Sequence, residues 1–162
     1  MQQVLLDRFR TICYNQNEVI YMNEQAARIM ADRFGRDCVI ALATVGGGEP
    51  FVRYVNAYYE DGSFYVITHG LSGKMRQLRE RPSAAIAGEW FTGRAAAHDE
   101  GWFGDEKNAA LAAKLRRVFA QWIDNGHNDF SDRNTIILRL ELTSGVLISH
   151  GTHYDIADFA SQ

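Results

Sequence analysis

The chain has 162 residues, enough to bury one sizeable core and too few for two full domains. Hydrophobic residues make up 46% and charged residues 23%, which excludes a disordered tail or linker. Seventeen Lys and Arg against twenty Asp and Glu leave a net charge of −3, so the chain has no broad basic surface of the kind that binds nucleic acid by counterion release.

Near the start, Asp7, Arg8 and Arg10 interrupt the apolar core that a secretory signal needs, and the longest apolar run, Cys38 to Val45, is too short to span a bilayer. The expectation is a cytoplasmic chain with no membrane partner. Cys13 and Cys38 close at most one bridge, and Cys38 heads an apolar run where a reduced thiol is ordinary. With no internal repeat or low-complexity tract, residues 1–162 read as a single domain, of which 1–36 form an N-terminal helical extension. Val4, Leu5, Phe9 and Ile12 suggest its first helix. Asn23 caps the second, with Ala26, Met30 and Phe34 on one face and Gly35 at its end.

From Cys38 the pattern changes to strands. Cys38–Val45 is apolar and β-branched, Gly46-Gly47-Gly48 breaks it, and a second run spans Phe51–Tyr59. Asp61-Gly62 is a two-residue hairpin signal, after which Phe64–Thr68 returns as a third strand. Ser72–Glu80 reads as a short helix stopped by Pro82. Strand-like residues resume over Ala84–Ala97, with Gly88 and Gly93 as sites of a bend or bulge. Leu111, Leu115, Val118, Phe119 and Trp122 form one stripe of a long helix over Asp105–Ile123, and Thr135–Leu142 and Val146–Ser149 read as closing strands. Six or seven short antiparallel strands with few inserted helices predict a mainly β fold, a small closed or nearly closed barrel.

The segment from Thr68 to Lys74, THGLSGK, lies between a strand and a helix and offers hydroxyls, glycines and an ammonium where free backbone N–H groups emerge. That is the chemistry of an anion site. It departs from a P-loop, since position 68 is Thr in place of Gly and Met75 follows the lysine where a magnesium-binding hydroxyl is required. Taken alone, the segment fits equally well a helix cap at Ser72 and a solvated Lys74. The Asp61-Gly62 turn brings Arg53 alongside, and a guanidinium, an ammonium and two hydroxyls together suit a phosphate monoester.

The order Glu49-Pro50, Arg53-x-Val55, an aromatic strand ending in Thr68, then Ser72-x-Lys74 with Leu78 and Pro82, resembles the split-barrel flavoproteins related to pyridoxamine 5′-phosphate oxidase. The resemblance spans Cys38–Ala97, somewhat over a third of the chain. It implies a six- to seven-stranded antiparallel split β-barrel that binds flavin mononucleotide (FMN) between the subunits of a homodimer. Position by position it implies Arg53, Ser72, Gly73 and Lys74 as phosphate binders, Val55 and Asn56 along the ring and ribityl chain, and Ile67 and Thr68 as contacts at the end of the third strand. Tyr54 suits either the flavin ring or the core, the ordinary place for a strand aromatic. The family's enzymes close with an Arg-Leu-x-Pro tail and basic residues, whereas this chain ends in the acidic run 154–162, which disfavours a phosphorylated vitamin substrate. The expected function is an FMN-dependent oxidoreductase on an unidentified small molecule, with a flavin- or haem-binding carrier or sensor as the alternative; no catalytic residue is singled out.

His150 and His153 lie three apart but lack the companions of a metal site, and none is expected. His69 beside the anion segment is a proton donor or a surface residue. Lys74, Arg76, Arg79 and Arg81 spread over more than one helix face without interleaved aromatics, a solvated pattern and not an RNA site. The aromatics in Glu89-Trp90-Phe91 and in Glu100–Phe103 suit the core, a ring cover or a subunit contact.

Overall fold

The computed structural model describes residues 12–15 and 18–158. Val4, Leu5 and Phe9 of the expected first helix lie outside them. Two strands, β1 (Ile12–Asn15) and β2 (Glu18–Met22), pair within the segment 1–36, so the expectation of a wholly helical extension is corrected there. Helix α1 (Glu24–Phe34) follows, with the Asn23 side chain accepting from the Gln25 N–H at 2.7 Å and Ala26, Met30 and Phe34 buried.

The rest is a meander that closes. Strands β3 (Cys38–Gly46), β4 (Glu49–Glu60) and β5 (Ser63–His69) come in succession, then helix α2 (Gly73–Glu80), then β6 (Ser83–Gly88) and β7 (Phe91–Trp102). Helix α3 (Ala109–Val118), entered through a 3-10 turn at Glu106–Asn108, leads to the long strand β8 (Thr135–Ser149) and to β9 (Thr152–Asp158). Pairing runs β8-β5-β4-β3-β6-β7 and returns to β8, a closed six-stranded antiparallel barrel, while β9, β2 and β1 extend outward from the far half of β8. Closure gives each of the six barrel strands a neighbour on both sides over at least part of its length.

Alternation along each strand sends Ile40, Leu42, Phe64, Val66, Leu138 and Leu140 inward. Phe34 reaches in from α1 to meet Phe64 and Phe91 at ring-centroid distances of 5.5 and 5.8 Å. A second apolar cluster lies outside the barrel, where Leu115 and Phe119 of the α3 segment cover Ile137 of β8. The two described helices flanking the site and α1 are short, and none of the helices among the described residues is long and apolar enough to cross a membrane.

Four expectations shift. The run Ala84–Ala97 is two strands, turned at Glu89-Trp90 with Trp90 at φ 51°; β6 and β7 stay in register past Gly93, and the irregularity falls instead between Arg94 and Ala95 against β8. The long helix is shorter at both ends, a 3-10 turn at Glu106–Asn108 followed by α3, which stops at Val118, and Trp122 lies in the turns beyond it. The two closing strands are one. Gly145 sits opposite Gly93, and the Phe91 ring lies against both, so a residue pair that reads as a break lets two strands approach closely under an aromatic ring. Finally, the acidic run is partly strand β9, joined to β8 by His150-Gly151, whose φ values of 48° and 78° make a tight hairpin turn.

A Cβ at Gly145 would lie 2.9 Å from the Phe91 ring and 2.9 Å from the Thr92 carbonyl oxygen, and the carbonyl cannot move without breaking the ladder. Gly145→Ala is expected to lower stability by about 1–3 kcal/mol, read from the urea unfolding midpoint at unchanged m-value.

Candidate functional site

Strands β4 and β5 pair at only three positions, Tyr58↔Tyr65, Tyr59↔Phe64 and Glu60↔Ser63. Beyond them the strands separate, β4 held by β3 and β5 by β8. A cavity of about 350 Å³ occupies the gap, within the range of small-ligand sites. Val55 and Asn56 line it from β4, Ile67 and Thr68 from β5, and Lys74 from the first turn of α2.

The cationic end is built in layers. Lys74 Nζ donates to Thr68 Oγ1 at 2.7 Å. Behind it, Arg53 donates through Nη1 to Thr44 Oγ1 at 2.6 Å and through Nη2 to Gln77 Oε1 at 3.0 Å, which ties the guanidinium to β3 and α2. Burial, and then repulsion from Arg53, hold the Lys74 ammonium below the ordinary lysine range, and burial likewise lowers Arg53. The two cations therefore sense each other. Among the described residues neither has a carboxylate within salt-bridge distance, as the ion pairs of Arg79 and Lys114 do.

Ser72 occupies the cap position of α2, yet its hydroxyl makes no capping bond, and Ser72 Oγ is buried without a partner. An orphaned buried hydroxyl costs stability unless something meets it. Gly73 follows as the first residue of α2; a Cβ there would meet nothing closer than 3.8 Å, so it supplies a free N–H and not an obligatory glycine conformation. The loop is fixed in advance. Gly70 N–H donates to the Asn134 carbonyl at 2.7 Å, Arg79 Nη1 donates to the Gly70 carbonyl at 2.6 Å, and Arg79 also pairs with Asp99 at 3.0 Å. His69 accepts from the Leu71 N–H at Nδ1 and faces Asp132 through Nε2 at 3.1 Å, which orients it along the loop and away from the cavity lining.

Of the expected residues, Val55, Asn56, Ile67, Thr68 and Lys74 share the cavity; Arg53, Ser72 and Gly73 stand at its cationic end. Tyr54 is not in the core: it is 81% exposed on the outward face of β4, the face that Val52 also shares, because strand alternation turns it opposite to the buried Ala57 and Tyr59. His150 and His153 are exposed on the β8–β9 hairpin, and no group of three metal-ligating residues occurs among the described residues. Trp90 and Trp102 do not line the cavity. A wall that sequence reasoning missed comes from the loop after α3: Trp122, Asn125, His127 and Asn128. By spacing Trp122 falls on the stripe of the long helix, and Asn125-Gly126, an ordinary turn signal, marks only that a loop follows.

No family model matches the sequence and no curated protein matches it. Solved structures do. A pyridoxamine 5′-phosphate oxidase-related, FMN-binding protein from Nostoc punctiforme is 17% identical with a TM-score of 0.52, covering 82% of this chain and 87% of its own. The fold is the split barrel of the pyridoxamine 5′-phosphate oxidase-like proteins. The same split barrel is found in an FAD-binding protein from Mesorhizobium loti, at 14% identity and TM-score 0.57 over 86% of this chain and 99% of that one. It is also found in HutZ, the haem storage protein of Vibrio cholerae, at 18% identity and TM-score 0.58 over 76% and 93%.

Lys74 carries a charge that its partial burial disfavours. The folded chain binds that proton less tightly than the unfolded chain, so the penalty is present at neutral pH and below and is lost as pH rises through the folded lysine value. Lys74→Met is expected to raise the melting temperature of the ligand-free protein at pH 7, with the gain shrinking at alkaline pH; scanning calorimetry at the two pH values checks it.

Proposed function

We propose that this protein binds FMN in the gap between β4 and β5 and acts as an oxidoreductase on a small molecule, as a cytoplasmic homodimer with the flavin site at the subunit contact. The carrying observation is a pair of half-buried cations, Arg53 and Lys74, bonded to hydroxyls and an amide and to no carboxylate among the described residues, beside an orphaned hydroxyl at Ser72. A doubly charged phosphate monoester answers all three at once: the cations gain a counter-charge and the hydroxyl gains an acceptor.

The residues present fit that group. Lys74, the Ser72 hydroxyl, the Gly73 N–H and the unspent N–H donors of Arg53 would hold the phosphate, while Val55, Ile67 and Thr68 border the remainder of the ligand. When bound, the flavin supplies the redox chemistry. The chain's part is to bind, orient and partly desolvate it. The homodimer is supported by the exposed apolar side chains Val52 and Tyr54 on the outward face of β4, at 72% and 81% exposure.

A second reading is a carrier or sensor that holds flavin or haem without turnover. His127 in the cavity wall favours it, since imidazole is a common axial ligand of haem, and a haem storage protein shares the fold.

The absorption spectrum of the protein loaded with FMN and desalted tests the first reading. Flavin bands are expected to co-elute with the protein, and Arg53→Ala or Lys74→Ala to weaken FMN binding about a hundredfold by equilibrium dialysis. Retention unchanged in both variants would reject the phosphate site, and a Soret band formed on addition of haem, absent in His127→Ala, would favour the second reading.

A further inference from the structure

The wall formed by the loop after α3 is more than a lining. The Trp122 indole N–H donates to Asp37 Oδ2 at 2.7 Å, and the other oxygen of that carboxylate accepts from Asn56 Nδ2 at 3.2 Å. One carboxylate at the foot of β3 thus fastens the loop to β4 across the cavity. The turn itself is rigid. The Trp122 N–H donates to the Phe119 carbonyl at 3.0 Å and the Asn125 N–H to the Trp122 carbonyl at 3.0 Å, the Trp122 and Phe119 rings lie 4.7 Å apart, and Arg116 pairs with Asp124 at 2.9 Å.

An indole has a single donor and no acceptor. With that donor spent on Asp37, Trp122 offers the cavity only its carbon framework, a flat apolar surface held in one orientation. The cationic end lies in the other direction along β4, three residues away at Arg53, or about 10 Å of strand. A site that is charged at one end and aromatic at the other matches a planar ring joined to a phosphate by an extended arm.

We infer that Trp122 is a ligand-binding residue, the surface on which the ring system of the bound cofactor lies, and that Asp37 is the positioning residue that aims it. This rests on the FMN reading above and deepens it.

Indole in contact with a flavin quenches flavin emission, which gives a readout separate from activity. FMN bound to the unaltered protein is expected to be dim relative to free FMN; Trp122→Phe should restore its emission several-fold, while Trp90→Phe and Trp102→Phe leave it dim. Asp37→Ala should accelerate FMN release about tenfold, as expected for loss of a hydrogen bond to a charged group, and partly restore emission. Circular dichroism of each variant separates these effects from unfolding. Bound FMN whose emission does not change in Trp122→Phe, or changes instead in Trp90→Phe or Trp102→Phe, overturns the assignment of Trp122 and leaves the phosphate site standing. A protein that takes up no FMN at any concentration overturns the cofactor reading and this inference together.

Discussion

A sheet closes into a barrel only when each strand finds a neighbour on both sides, and here one seam is left mostly unsewn. β3 pairs with β4 over nine positions and β5 with β8 over seven, whereas β4 and β5 share three. The tight Asp61-Gly62 turn forces the two strands together at its own end, and their divergence beyond Tyr58 and Tyr65 leaves two lengths of strand edge facing a common space. Everything that bears on function is arranged around that opening. The anion loop closes one end, the loop after α3 walls one side, and Arg79 and Asn134 hold the anion loop still by bonding its backbone.

The electrostatics of the opening are the reverse of what stability alone would select. Other half-buried cations do find carboxylates: Lys114 pairs with Glu60, and Arg139 with Glu100 and Glu141. At the site, two cations share a partly buried space with hydroxyls and an amide in place of a carboxylate. Local inconsistency of this kind, in a chain otherwise consistent from pattern to packing, marks a functional position.

The part of the architecture set by local pattern was readable from the residues alone. The hairpin at Asp61-Gly62, the cap at Asn23, and strands β3 to β5 follow from turn chemistry and alternation, and the convergence of positions 53 and 74 followed from them by geometry. What stayed hidden depends on partners distant in the chain. Gly145 reads as a strand end until Gly93 and Phe91 are placed opposite it. Tyr154 and Ile156 read as part of an acidic tail until β8 is there to pair with them, although His150-Gly151 between them was a turn signal in plain view. Trp122 fits a helical stripe by spacing, and its partner Asp37 stands 85 residues earlier. Tyr54 stays out of the core for a simpler reason, since its strand parity opposes that of the buried Ala57 and Tyr59.

Strand β8 carries two unlike burdens along its length. Its first half, Thr135–Glu141, is held by β5, and its second half, Ser144–Ser149, by β9, with β7 along the opposite edge throughout. The flap made of β1, β2 and β9 therefore hangs from the barrel by the half of one strand that takes no part in the cavity. None of the flap's own pairs involves β4 or β5, while Met22 and Ile156 carry its inward side into the core shared with the barrel, so freedom to diversify belongs to its outward positions alone.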